Sequence, residues 1–199
     1  MRVVFLRHGK TEYNELRRLQ GNIDIPLSDT GRAQAMKARE EFAERGYVFT
    51  HIYTSPLSRA VETAVIATGK PEEALIKDER LLEYHFGEYD GRPFDEVKEE
   101  LDKLFNDPMN ADVGCGVETL PHLLQRVGDF LDEIKEKHDA HDEILVSVHG
   151  GIIQGMRCAL GLLDPNEFWN RIIGNCGFIE LTLRDGEYKV TDVVFKRAY

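Results

Sequence analysis

Val3-Val4-Phe5-Leu6-Arg7-His8-Gly9 begins as four consecutive apolar residues and stops on a cation, an imidazole and a glycine. An apolar run of that length, with no polar alternation, predicts a strand buried on both faces. The pattern recurs far along the chain. Glu143-Ile144-Leu145-Val146-Ser147-Val148 reads as a second strand and stops on His149-Gly150-Gly151. Between them, Thr50-His51-Ile52-Tyr53-Thr54 reads as another, stopping on Ser55-Pro56. Buried strands separated by helix-length connections imply a mainly parallel sheet with helices packed on it. In such sheets ligands bind beyond the carboxyl ends of the strands, which is where His8 and His149 fall.

The connections supply the helices. Ser28 suits an N-cap and Gly46 a C′ position, with Ala35, Ala38 and Phe42 at helical spacing between them. Ser55 is expected to cap a second helix with Pro56 at its first position, Arg59 in its first turn and Ala60, Ala64 and Ala67 on one face. Thr119 is expected to cap a long helix striped by Leu123, Leu124, Val127, Leu131 and Ile134, and a shorter helix is expected over 151–160. Phe178-Ile179-Glu180-Leu181-Thr182-Leu183 and residues 188–195 flank Asp185-Gly186 and read as a hairpin at a sheet edge. Residues 84–116 hold Pro93, Pro108, Gly114 and Gly116 and no clear period. The expected architecture is therefore α/β, a three-layer α/β/α sandwich with a mainly parallel central sheet. It forms one domain over 1–199 with a cap-like insertion at about 84–116.

Composition narrows the function classes. With 36 acidic against 25 basic residues the net charge is −11, so the overall field repels nucleic acid and anionic membrane. It also repels a phosphorylated ligand, so any phosphate site must gather positive charge locally. No apolar run approaches the roughly 20 residues of a membrane span, and the short apolar stretch after Met1 is too brief for a signal peptide. Cytoplasmic placement is expected. Cys115, Cys158 and Cys176 lie far apart, which argues against a disulfide framework or a zinc ribbon.

Candidate chemistry collects at the strand ends. Arg7 offers a forked donor suited to phosphate oxygens, with Thr11 and Asn14 as neutral neighbours and Gly9 allowing a sharp turn. Gly150 and Gly151 open a helix whose backbone N–H groups suit an anion. Arg59 starts another helix. Glu83 follows Leu81-Leu82 at the entrance to the irregular segment.

The chain resembles the histidine phosphatase superfamily, the group that includes the cofactor-dependent phosphoglycerate mutases. The resemblance rests on Leu6-Arg7-His8-Gly9-Lys10-Thr11-Glu12-Tyr13-Asn14, Gln20-Gly21, Asp24-Ile25-Pro26-Leu27-Ser28 with Gly31, and Ser55-Pro56-Leu57-Ser58-Arg59-Ala60 with Thr63-Ala64. It continues through Leu82-Glu83, Phe86-Gly87, Gly116-Val117-Glu118-Thr119 with Arg126, and His149-Gly150-Gly151. It implies that His8 is the nucleophile and becomes phosphohistidine. It implies that Arg7, Arg59 and His149, with Asn14 and Gly150, hold the phosphoryl group, and that Glu83 donates a proton to the leaving oxygen. It implies no cofactor and no metal. Two departures stand out. Lys10 replaces the small acidic or amide residue of many relatives and is expected to point to solvent, with added positive charge at the pocket rim as the alternative, while His85, two residues past Glu83, is as well suited to packing as to substrate.

Mutases of this superfamily are longer and carry a longer insertion after the glutamate. Glu83-Tyr84 and the length of 199 residues resemble the shorter phosphatase branch. The reading is a phosphatase for a small phosphorylated metabolite, with mutase-type transfer as the alternative and a non-catalytic phospho-ligand module as the alternative of another class. A metal hydrolase built on His8, His85 and His149 lacks ligand spacing. Self-association as a homodimer is left open.

Overall fold

The computed structural model describes residues 1–194 and 196. The chain runs β1 (Arg2–Arg7), α1 (Glu12–Glu15), α2 (Asp29–Glu44), β2 (His51–Thr54), α3 (Ser58–Thr68) and β3 (Ile76–Lys77). It continues through α4 (Phe94–Val97), α5 (Asp102–Asn106), α6 (Leu120–Lys137), β4 (Glu143–Val148), α7 (Gly150–Ala159), β5 (Phe178–Arg184) and β6 (Glu187–Val194). The six strands form one sheet in the order β3-β2-β4-β1-β5-β6. β1, β2, β3 and β4 pair in parallel, and β5 and β6 add on antiparallel beside β1. The sheet is thus mainly parallel, as expected, with the hairpin at its edge.

Side chains alternate across this sheet with period two, so even a wholly apolar strand divides between two cores. Val4 and Leu6 of β1 join Ile52, Leu145 and the Ala35, Ala38, Phe42, Ala64 and Ala67 faces of α2 and α3. Val3 and Phe5 point the other way, with Tyr53, Ile144 and Val146, onto Leu123, Val127, Phe130 and Ile134 of α6 and Ile152 and Met156 of α7. The four apolar residues of β1 are fully buried, each worth about 1.5–3 kcal/mol. Helices on both faces make the three layers.

The caps at Ser28 and Thr119 form as expected: each side chain accepts from a first-turn N–H. The start of α3 differs. Its N-cap is Leu57 and makes no side-chain cap bond. Ser55 instead extends the strand, its N–H bonded to Ser147 O at 3.0 Å. The capping oxygen comes from a distant loop, since Asp24 Oδ1 accepts the Ser58 N–H at 2.7 Å. The hairpin turns through Asp185 (φ 53°) and Gly186 (φ 80°), both left-handed as a tight two-residue loop requires. Phe195, expected to end that hairpin, lies outside the described residues.

Residues 84–116 carry only short turns and the one-turn helices α4 and α5. They are fastened to the segment after β1, with Leu19 and Arg92, Gly91 and Leu19, and Phe94 and Arg17 bonded backbone to backbone at 2.7–3.0 Å. No helix among the described residues is long and apolar enough to cross a membrane.

Candidate active site

Three strand ends and one loop converge on a cavity of about 340 Å³. Its walls include Arg7, His8, Asn14, Arg59, Glu83 and Gly150, and His149 lies against His8 with ring centroids 5.2 Å apart. Arg7, His8, Asn14, Arg59, Glu83, His149 and Gly150 are therefore in or against one cavity.

His8 is 2% exposed. Its backbone is pinned by the Val148 carbonyl, which accepts the His8 N–H at 2.8 Å, and by Asn175, whose Nδ2 donates to His8 O at 3.0 Å. Nδ1 lies 2.7 Å from the Gly9 carbonyl. A carbonyl oxygen only accepts, so Nδ1 carries the proton and the lone pair of the neutral ring sits on Nε2. Burial, then the charges of Arg59 and Arg7, push the His8 pKa well below the ordinary 6.5. The ring is consequently neutral at physiological pH. Gly9 does not adopt a left-handed φ. Its role is close approach: a Cβ there would meet Gly31 O at 2.5 Å, so the loop after β1 passes α2 backbone to backbone. The Gly9 N–H is taken by Thr63 Oγ1 at 2.9 Å.

His149 is fully buried, is the N-cap of α7 and makes no side-chain cap bond. Neither ring nitrogen has a hydrogen-bond partner among the described residues. Burial and then Arg59 hold its pKa well down too. A buried imidazole with both nitrogens unpaired is costly, and its place beside His8 gives it a ligand to meet.

The two guanidiniums are aimed by backbone carbonyls. Arg59, fully buried on α3, donates from Nη1 to Ile23 O at 2.7 Å and from Nη2 to Gly21 O at 2.8 Å, leaving Nε unpaired. Burial lowers its pKa to about 10, so it stays charged. Arg7 donates from Nη1 to the Ile173 carbonyl and also leaves Nε unpaired. Asn14 Oδ1 accepts from Thr11 N at 3.0 Å and from Asn175 Nδ2 at 3.3 Å, which turns its Nδ2 donor outward.

Glu83 closes the site from the entrance of the 84–116 segment. Its Oε1 accepts from Tyr84 N at 2.8 Å and from Gly151 N at 3.0 Å, at the first turn of α7. Burial raises its pKa against the lowering pull of the Tyr84 N–H and of Arg59 and Arg7. Arg126 holds the approach: Nη1 donates to Arg80 O and Leu82 O at 2.6 and 2.7 Å, and Nε to Glu118 Oε1 at 2.7 Å.

Four contributors have roles that sequence reasoning did not give them. Gly151 is one, since a Cβ there would sit 2.5 Å from Glu83 Oε1; the sequence marked it only as a helix-opening N–H suited to an anion. Thr63 was legible only as part of the Arg59 motif, and Asn175 through no pattern of its own, because they reach the loop after β1 from 54 or more residues away. Trp169 is the fourth. With Phe86, Phe94 and Phe105 it lines the cavity, and its Nε1 donates to Leu104 O at 3.0 Å. Lys10 departs from expectation: its side chain is only 13% exposed and lies 3.9 Å from Glu15, not in open solvent. His85 pairs with Asp90 at 3.0 Å and lines a neighbouring cleft of about 530 Å³.

The family model of the histidine phosphatase superfamily (branch 1) matches residues 3–195. The chain belongs to that superfamily. Its relatives include phosphoserine phosphatase 1 of Hydrogenobacter thermophilus, 32% identical over 85% of this chain and 81% of that one. Phosphoglycerate mutase-like protein 4 of Arabidopsis thaliana is 34% identical over 77% of this chain and 68% of that one. A mycobacterial glucosyl-3-phosphoglycerate phosphatase solved with VO3 superposes with a TM-score of 0.83 at 28% identity, over 98% of this chain and 99% of the other. The expectation of a phosphomonoesterase from this superfamily is borne out.

Proposed function

We propose that the chain is a metal-independent phosphatase of small phosphorylated metabolites that works through phosphohistidine on His8. One observation carries the reading. The Gly9 carbonyl fixes the His8 tautomer so that the Nε2 lone pair lies in a wall made of two arginines and a second histidine.

Nε2 attacks phosphorus in line as the ester oxygen leaves. The P–N bond forms, the P–O bond breaks, and Glu83 in its acid form gives its proton to the departing alkoxide. Water then attacks the phosphohistidine while the Glu83 carboxylate takes a proton from it, which returns His8 and releases phosphate. Arg7, Arg59, His149, Asn14 and the Gly150 N–H hold the equatorial oxygens throughout. Their charge and donors stabilise the transferring group. The raised pKa of Glu83 supports its part as acid.

The far wall of the cavity is Leu19, Tyr84, Phe86, Phe94, Phe105, Trp169 and Ile172, with Arg18 as its cation. The leaving alcohol is therefore gripped mainly by ring faces and alkyl surface. Relatives are named for phosphoserine and for glucosyl-3-phosphoglycerate, and a small phosphorylated metabolite is the class this cavity suits. Three free cysteines support a reducing, cytoplasmic setting.

Purified protein incubated with p-nitrophenyl phosphate and EDTA should release phosphate at the untreated rate. With 3-phosphoglycerate, hydrolysis should outrun isomerisation. Faster isomerisation would select mutase-type transfer, and binding without any release would select a phospho-ligand module.

A further inference from the structure

At the end of the sheet opposite His8, three side chains face one another and take no part in phosphoryl transfer. His51 begins β2, His138 ends α6 as its C-cap, and Asp142 precedes β4. His51 Nδ1 lies 3.6 Å from Asp142 Oδ1, and His138 Nδ1 lies 3.4 Å from Asp142 Oδ2. The imidazoles are 4.3 Å apart between centroids, and one ligand atom from each of the three residues lies within 4.8 Å of the others.

We propose that His51, His138 and Asp142 form a binding site for a divalent transition-metal ion of the zinc class, structural in role and separate from the catalytic cavity. His51 Nδ1 also lies 3.0 Å from Thr50 Oγ1, a contact that an ion would replace. Both histidine–aspartate contacts are longer than the 2.7–3.2 Å of an N–H···O bond. They are close to the roughly 3.3 Å that separates neighbouring ligands at 2.0–2.2 Å around a tetrahedral zinc. Two imidazoles and one carboxylate suit zinc, cobalt, nickel or copper, and leave a fourth position for water.

The surroundings orient these ligands as metal sites require. Tyr53 Oη lies 2.9 Å from His138 Nε2. When Tyr53 accepts the Nε2 proton, the lone pair of His138 is on Nδ1, toward Asp142. The Asp142 carboxylate is itself held, Oδ2 accepting from Asp139 N at 2.9 Å and Oδ1 from Thr50 Oγ1 at 3.0 Å. The His138 side chain is 4% exposed and fixed, whereas that of His51 is 38% exposed. A small swing of the His51 ring closes the set. The ion would tie the start of β2, the end of α6 and the turn into β4 into one unit.

The test uses tag-free protein stripped with chelator and titrated calorimetrically with ZnCl2. One equivalent should bind with a micromolar or tighter Kd, and the melting temperature should rise by about 5 °C or more at a hundredfold excess over Kd. Co2+ should give the visible absorption of a four-coordinate site. His51→Ala and Asp142→Asn should abolish both effects and leave metal-free turnover of p-nitrophenyl phosphate unchanged. Tyr53→Phe, which keeps the packing, should weaken binding by about tenfold. The proposal is overturned by the absence of saturable zinc binding below millimolar. It is equally overturned if affinity is unchanged in His51→Ala and Asp142→Asn, or lost in His8→Ala, which would put the ion at the His8–His149 pair.

Discussion

Gly151→Ala separates proton donation from phosphate binding by one methyl group. The new Cβ would stand 2.5 Å from Glu83 Oε1 and 3.2 Å from Tyr84 Cβ. Ordinary contact begins at 3.4 Å, so the carboxyl must retreat by about 0.9 Å. The carboxyl is the flexible party, so the fold tolerates the change, yet an ångström of misplacement at a reacting group lowers rate by about a hundredfold. That corresponds to about 2.7 kcal/mol of barrier. Arg7, Arg59, His8 and Asn14 are not displaced, so inhibition by inorganic phosphate should be preserved. The assay is the single-turnover rate of phosphoenzyme formation from two esters, which leaves out the later step in which Glu83 serves as base. An alkyl phosphate needs its leaving oxygen protonated and should slow by about a hundredfold, whereas p-nitrophenolate departs as the anion and should slow far less. Equal slowing of both esters, or no change in either, would refute the assignment of Glu83 as the acid held against the α7 N-terminus.

Other consequences follow from the same geometry. Trp169→Ala removes one ring of the far wall and should raise KM for p-nitrophenyl phosphate by roughly tenfold, from about 1.5 kcal/mol of aromatic contact; glycerol phosphate kinetics should move little. Arg126→Met removes the donor to the Arg80 and Leu82 carbonyls and the guanidinium from the Glu118 carboxylate, which keeps its His122 and His85 contacts, and urea denaturation should show a loss of about 2 kcal/mol. His8 and His149 are held neutral, with pKa values well below the ordinary 6.5. Their contribution to stability is complete above that value and is lost as pH falls below it toward the folded-state values. The urea midpoint of the wild type should therefore drop between pH 7 and pH 5, and His8→Asn/His149→Asn should drop less; superimposable slopes would contradict the burial argument.

The fold was legible where local chemistry and global position agree. The four-residue apolar run of β1 announced burial on both faces, and Ser28 and Thr119 announced their helices because each caps with its own hydroxyl. The start of α3 was misread at Ser55 because the oxygen that caps it belongs to Asp24, 34 residues upstream. No local pattern could carry that. Arg7, His8, Arg59, Glu83 and His149 were readable from strand and helix ends and from motif order. The steric role of Gly151 and the place of Trp169 were not, since one acts through the atom it lacks and the other through a wall closed by tertiary packing. The solvent expectation for Lys10 failed for a similar reason: its stem is covered by neighbours the sequence does not place beside it.

The central claim is that His8 Nε2 carries the phosphoryl group. Enzyme mixed with 32P-labelled substrate and quenched within milliseconds should yield a phosphoprotein that is labile to acid and stable to alkali, with the label on His8 by peptide mapping. His8→Ala should yield none and should lose turnover. A label that persists in His8→Ala, or wild-type turnover with no acid-labile phosphoenzyme at any quench time, would contradict the account.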